Sequence, residues 1–289
     1  MKPYAFVAGV GVISVLALGT VQAVAADTRK ELRLDIAPGG TVNVVSSSGS
    51  VTVHGGAGHQ VVAIYTTHSS KVEVDQSATP DKGRVELRTH ALGDQPLTGD
   101  EAKVEYEITV PAGASVTVST ATAPITVEGL TGDVMLESDK GQIVVRNVAR
   151  AHVHVRGVAA PVSLADIVNG HVEVTSSGGA VQMVNVSGSK VSVGTASGNI
   201  TYRGDCSGGG SYAFTTHSGA IDVTLPETAS VDLTARSVNG AVQNDFPLEA
   251  KAHPSFVPKS GSSFAGTSNS GLSSVELQSF SGRIRVKKQ

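Results

Sequence analysis

The chain has almost no cysteine, no tryptophan and few aromatic residues of any kind. Cys206 is the one thiol among 289 residues, and Phe, Tyr and Trp together make up 4%. A single cysteine excludes an intramolecular disulfide framework, so stability must come from the fold itself. The scarcity of large aromatics excludes a bulky globular core and leaves few stacking platforms for sugars or bases. Charge of one sign is also missing: 22 basic residues face 25 acidic ones, a net charge of -3. Without a basic face there is no electrostatic footprint for nucleic acid, which is not expected as a partner.

What is present is glycine, at 33 residues, and an apolar set dominated by Val, Ile and Ala. Such β-branched residues suit strands and a core built from stacked layers of small side chains. The N-terminus differs from the rest. Lys2 is followed by an apolar run from Tyr4 to Leu18, then by Ala23-Val24-Ala25-Ala26 and the charged Asp27-Thr28-Arg29-Lys30. This is the order of a secretory signal peptide over 1–26, cleaved after Ala25 or Ala26, and it implies export to the periplasm, cell surface or medium. An uncleaved anchor is the alternative. No cysteine stands near the cleavage point to take a lipid. No second long apolar segment follows, so no integral membrane segment is expected after cleavage.

A repeat organises the remainder. Pairs of the form apolar-x-apolar recur as Val116/Val118, Val134/Leu136, Val153/Val155, Val172/Val174, Val191/Val193, Tyr212/Phe214 and Val231/Leu233, spaced 18 to 21 residues apart. A second set alternates with it: Ile125/Val127, Ile143/Val145, Val162/Leu164, Val181/Met183, Ile200/Tyr202, Ile221/Val223 and Val242/Asn244. Two residues before the second set stand Gly141, Gly179, Gly198, Gly219 and Gly240, with Ala123 and Ala160 as exceptions. Glycine reaches positive φ without a Cβ penalty, so these positions are expected to be left-handed corners.

Period-2 alternation with a near-constant repeat of about 19 residues predicts an all-β, parallel β-solenoid, two strands per repeat, with Val, Ile and Leu columns inside. With a rise of about 4.8 Å per coil, eight coils make a rod of roughly 40 Å. The rival architecture is an antiparallel β-sandwich, which also has short, regularly spaced strands. Residues 27–110 hold an early copy of the repeat (Val42/Val44, Val51/Val53) and, over 61–110, longer strands expected to form an antiparallel cap. Residues 111–289 are expected to form the solenoid, interrupted by an irregular Ser/Pro/Gly-rich loop over 245–274.

The flanks of the repeats carry a resemblance. Val110-Pro111-Ala112-Gly113-Ala114-Ser115-Val116 and Leu225-Pro226-Glu227-Thr228-Ala229-Ser230-Val231 flank Ser-Gly-x-Ile elements, with Asn239-Gly240-Ala241-Val242 and the closing Ser281-Gly282-Arg283-Ile284-Arg285-Val286. Over roughly residues 32–288 the chain resembles the bacterial β-strand-repeat family of unknown function labelled putative adhesin. The resemblance implies an exported, solenoid-like protein of the cell envelope, a structural or adhesive scaffold with no assigned catalysis. Its partner would be an envelope or surface component, protein or polysaccharide.

Two places invite chemistry. Around the column Val134, Val153, Val172 and Val191, the preceding residues are Asp133, His152, His171 and Lys190, and the following ones Met135, His154, Glu173 and Ser192. Stacked coils bring His152 beside His171 and His154 beside Glu173, with Asp133 as a further donor. Such a group suits zinc or copper. The plainer alternative is a wet polar face holding three of the nine histidines. A polysaccharide-cutting solenoid enzyme would instead need paired carboxylates on one face. The outward column Thr126, Val144, Ser163, Gln182, Thr201, Asp222, Gln243 offers one, and Tyr202, Tyr212 and Phe214 are its candidate sugar platform. The stretch Arg203-Gly204-Asp205-Cys206-Ser207-Gly208-Gly209 looks like both an RGD tripeptide and a serine-protease GDSGG. Ser207 has no His and Asp partners in a protease context, so the stretch reads as a Gly-rich turn with a two-residue insertion, its thiol near the surface.

Overall fold

A computed structural model describes residues 27–79, 83–93, 97–251, 257 and 259–289. The leader expected over 1–26 lies outside the described residues. In chain order the strands are β1 (Thr28–Asp35), β2 (Thr41–Ser46), β3 (Gly49–Gly56), β4 (Gln60–Thr67), β5 (Val72–Thr79), β6 (Arg84–Ala91), β7 (Val104–Pro111) and β8 (Ser115–Thr120). They continue as β9 (Ile125–Glu128), β10 (Val134–Ser138), β11 (Ile143–Ala149), β12 (His152–Gly157), β13 (Val162–Ser176), β14 (Val181–Thr195), β15 (Ile200–Arg203) and β16 (Ser211–Thr216). The chain closes with β17 (Ile221–Leu225), β18 (Val231–Ser237), β19 (Val242–Asn244), β20 (Glu249–Ala250), β21 (Ser263–Ser268), β22 (Ser273–Ser279) and β23 (Ile284–Lys288).

The architecture is a β-solenoid, not a sandwich. Strands one repeat apart pair in parallel and in register: Val116 with Val134, Val134 with Val153, Val153 with Val172, Val172 with Val191. The second set does the same along Ile125, Ile143, Val162, Val181 and Ile200. Strict alternation puts each of these side chains inside, where they are at most 2% exposed. A wider turn closes each coil on the far side, and its inward residues Leu130, Val148, Ile167 and Val186 complete the same core. Burying each such side chain contributes roughly 1.5–3 kcal/mol, so the stacked columns are the main source of stability.

The order of the coils departs from the order of the sequence at both ends. Tyr212 and Val231, one repeat apart, are not neighbours: β22 lies between β16 and β18, pairing in parallel with both. Likewise β23 lies between β17 and β19. At the other end β2 sits between β6 and β8, and β3 between β7 and β9. Residues 61–110 therefore play two roles. β6 and β7 form the outermost parallel coil, while β4 and β5 add antiparallel strands to it, and β1 pairs with β4. Within 245–274, β21 runs antiparallel to β18 and β20 antiparallel to β21, with Phe246 buried nearby. The outer strands β1 and β5 carry exposed charge, including Arg29, Lys30 and Glu73, which discourages further edge pairing.

The corner glycines have a different cause from the one expected. None of Gly141, Gly179, Gly198, Gly219 or Gly240 has positive φ. Instead a Cβ there would meet the backbone of the coil below: 2.1 Å from the Ala123 carbonyl oxygen at Gly141, 1.9 Å from that of Ala160 at Gly179, 2.1 Å from that of Gly179 at Gly198. At the wider turn the left-handed conformation falls to asparagine and aspartate in successive coils, at Asn147, Asp166 and Asn185, with φ 53° to 54°. Asn185 Nδ2 donates to Asp166 Oδ1 of the coil below at 3.0 Å. Just inside the Gly corner runs a buried hydroxyl ladder. Thr195, Thr216, Ser237 and Ser279 each accept the N–H of the glycine three residues later, at 2.8–3.0 Å.

The RGDCSGG stretch differs from the expected surface turn at its thiol. Cys206 is 1% exposed, not near the surface, while Arg203 and Asp205 point outward. Tyr202, Tyr212 and Phe214 are not a sugar platform either, because all three are fully buried, with ring centroids 6.0 and 5.4 Å from that of Tyr202. The Cys206 N–H donates to the Tyr202 hydroxyl, which donates to the Val186 carbonyl at 3.0 Å. Burial pushes the Cys206 thiol up to about 12 and the Tyr106 phenol up to about 12, and raises Tyr202 and Tyr212 as well.

Two outcomes follow from this packing. Gly179→Ala is expected to lose about 3 kcal/mol or more in urea unfolding, because backbone must move. Asn185→Gly, at a true left-handed position, should stay within about 1 kcal/mol of the parent. The second outcome concerns alkali. The four buried acids keep their protons longer in the folded chain than in the unfolded one. Stability is therefore complete below about pH 9 and declines as pH rises through the ordinary values of 9.0 and 10.0, by about 1.4 kcal/mol per pH unit for each group. Denaturant titrations between pH 8 and 11 measure this. In the native chain at pH 8, Cys206 should resist a thiol reagent and react only after unfolding.

Candidate functional site

The polar face of the central coils is set by register. β10, β12 and β13 are stacked neighbours, so the outward positions flanking their inward valines form two columns. One contains Asp133, His152 and His171, the other Met135, His154 and Glu173. All five side chains singled out above, Asp133, His152, His154, His171 and Glu173, line one open groove of about 410 Å³, together with the exposed Met135.

Within the groove the contacts are pairwise. The His152 and His171 rings meet edge to face, with centroids 5.3 Å apart. His154 Nδ1 lies 3.6 Å from Glu173 Oε2, and His152 Nδ1 lies 3.9 Å from Asp133 Oδ1. The same Asp133 oxygen accepts the His152 backbone N–H at 3.0 Å, which anchors the carboxylate to the strand above it. Lys190 continues the first column one coil further on. As the side chains stand, no three His, Cys, Asp or Glu donors among the described residues converge on one point.

A second groove, of about 450 Å³, is not legible in the sequence. It is lined by His217, Phe280, Val238, Arg236 and Gln278. His217 and Phe280 stack with centroids 4.8 Å apart and planes at 4°, and Phe280 and Val238 are about half exposed. Each of His217, Val238 and Phe280 stands two residues before a corner glycine, which is the one signal that aligns them. They become neighbours only because β22 and β23 insert between coils 211–225 and 231–244.

The remaining candidates are dispersed. Asp222, the lone carboxylate of its outward column, lies 3.5 Å from Arg283 and 3.9 Å from Lys287, so it faces cations and not a second acid. Ser207 borders a shallow groove with Val168, Asn185, Ser187 and Pro226, and no imidazole lines it. The Ser207 N–H donates to Asp205 Oδ1 at 3.0 Å, which makes a local turn. Among the described residues no helix is long and apolar enough to cross a membrane.

Comparison with known proteins agrees with the architecture. A putative adhesin from Bacteroides fragilis shares the fold, at 10% identity over 92% of this chain and 99% of that one, with a TM-score of 0.52. A putative cell adhesion protein from Clostridium sporogenes aligns over 91% of this chain and 100% of that one, at 12% identity and a TM-score of 0.32. No curated protein matches. Residues 41–287, the span from the start of β2 almost to the end of β23, match the family described as Toastrack DUF4097, and the chain belongs to that family.

Proposed function

We propose that this chain is an exported β-solenoid of the cell envelope that works without catalysis, as a structural or adhesive scaffold holding an envelope or surface component, protein or polysaccharide, along its sides. The observation that carries this is the distribution of surface chemistry on an unbroken parallel stack. Polar side chains run along outward columns and through shallow open grooves, and Asp222, the lone carboxylate of its outward column, is engaged by Arg283 and Lys287. Both ends are closed by antiparallel strands, which leaves the sides for recognition. The fold shared with a protein described as a putative adhesin supports the same role. Export rests on the leader pattern over 1–26.

On the flank, the half-exposed Phe280 and Val238 beside Arg236 have the make-up of a recognition patch, an aromatic and an aliphatic anchor with a planar cation at the rim. The test has two arms. Fractionation of expressing cells should place the protein outside the inner membrane, with a mature N-terminus at Ala26 or Asp27 by mass spectrometry. Co-sedimentation with isolated envelope should fall at least tenfold in the F280S/V238S double variant, with an unchanged melting temperature. An unprocessed cytosolic protein, or one that the envelope does not retain, would sink the proposal.

A further inference from the structure

We infer that the groove over β10, β12 and β13 is a binding site for one late first-row divalent metal ion, copper or zinc, ligated by His152, His154, His171 and Glu173. This goes beyond the scaffold role and does not depend on it.

Backbone geometry brings the four donors together. His152 and His154 alternate on one strand and so project from the same face, about 6.8 Å apart. His171 and Glu173 alternate in the same way on the next strand and are their direct register partners, about 4.8 Å away. Three imidazoles and one carboxylate thus stand at the corners of a small rectangle on a rigid parallel ladder. Rotations about χ1 and χ2 of outward side chains are what is needed to turn the present pairs into a single cage. Only the ligand torsions move, because six consecutive register pairs hold the two strands.

Asp133 supplies what an accidental histidine cluster lacks. Its carboxylate is anchored by the His152 N–H at 3.0 Å and already sits 3.9 Å from His152 Nδ1. From there it can accept the Nδ1 proton, which leaves Nε2 as the donor to a metal. Met135 adds a soft thioether at the groove wall, in the column of His154. Imidazole-rich sites with a soft neighbour favour copper over zinc, as the Irving–Williams order also requires. Lys190, the register partner of His171 on β14, ends the column of donors on that side.

Titration of the EDTA-treated, buffer-exchanged protein with Zn²⁺ and separately with Cu²⁺ tests this. One saturable equivalent is expected, tighter for Cu²⁺, and the Cu²⁺ form should show nitrogen hyperfine structure from more than one imidazole in electron paramagnetic resonance. His152→Ala and His154→Ala should each weaken binding at least tenfold and Asp133→Asn by a similar factor, while His217→Ala leaves it unchanged. All four side chains point outward, so melting temperatures should not move. Absence of saturable uptake, or uptake that survives in the H152A/H154A double variant, overturns the proposal.

Discussion

The distance between stacked coils governs this molecule. Parallel backbone ladders hold each coil about 4.8 Å from the next, and nothing in the core can change that spacing without breaking a row of hydrogen bonds. At the tight corner a Cβ would point straight at the neighbouring coil, and even a methyl group would land within 1.7–2.3 Å of a carbonyl oxygen at Gly282, Gly219 or Gly240. The glycine column is thus a spacing requirement repeated coil after coil. The exceptions are Ala123, which keeps Thr120 three residues before it, and Ala160. In that coil the ladder position three residues earlier, Ser or Thr elsewhere, is Gly157, where a Cβ would stand 3.3 Å from the Ala160 Cβ. One small residue is exchanged for another within the same corner.

Seen this way, what the sequence reveals and what it hides have separable physical origins. Inward columns are legible because alternation and period are local properties: Val153, Val172 and Val191 declare their face and their coil by spacing alone. The cause of a recurring glycine column is not legible, because positive φ and close approach of a neighbouring coil select the same residue. Here the left-handed task went to Asn147, Asp166 and Asn185, residue types that tolerate that conformation, and Asn185 bonds Asp166 across neighbouring coils. Cys206, too, was hidden. It lies in the turn that carries the insertion, where its N–H donates to the Tyr202 hydroxyl, a contact that no pattern announces.

The two grooves differ in the same respect. The histidine groove is drawn from three coils that are consecutive in both sequence and space, so its five polar residues could be grouped from the period alone. The groove at His217, Phe280 and Val238 crosses a place where spatial order and chain order part company. A repeat says that coils stack, but not which one is next, since β22 offers β16 and β18 the same in-register apolar pair that each could offer the other.

That insertion changes the mechanics of the rod. In a simple solenoid the terminal repeat has one neighbour and is the first to fray, which is why such folds need caps. Here the C-terminal coil has two neighbours, and releasing it means opening ladders on both sides at once. The coil at 41–56 is held in the same way at the opposite end. The strands left outermost are short or charged, as β19, β20 and β1 are, and they offer a poor template to another chain. Along its axis the described stack ends in these short or charged strands, while on its flanks the fold leaves residue choice free.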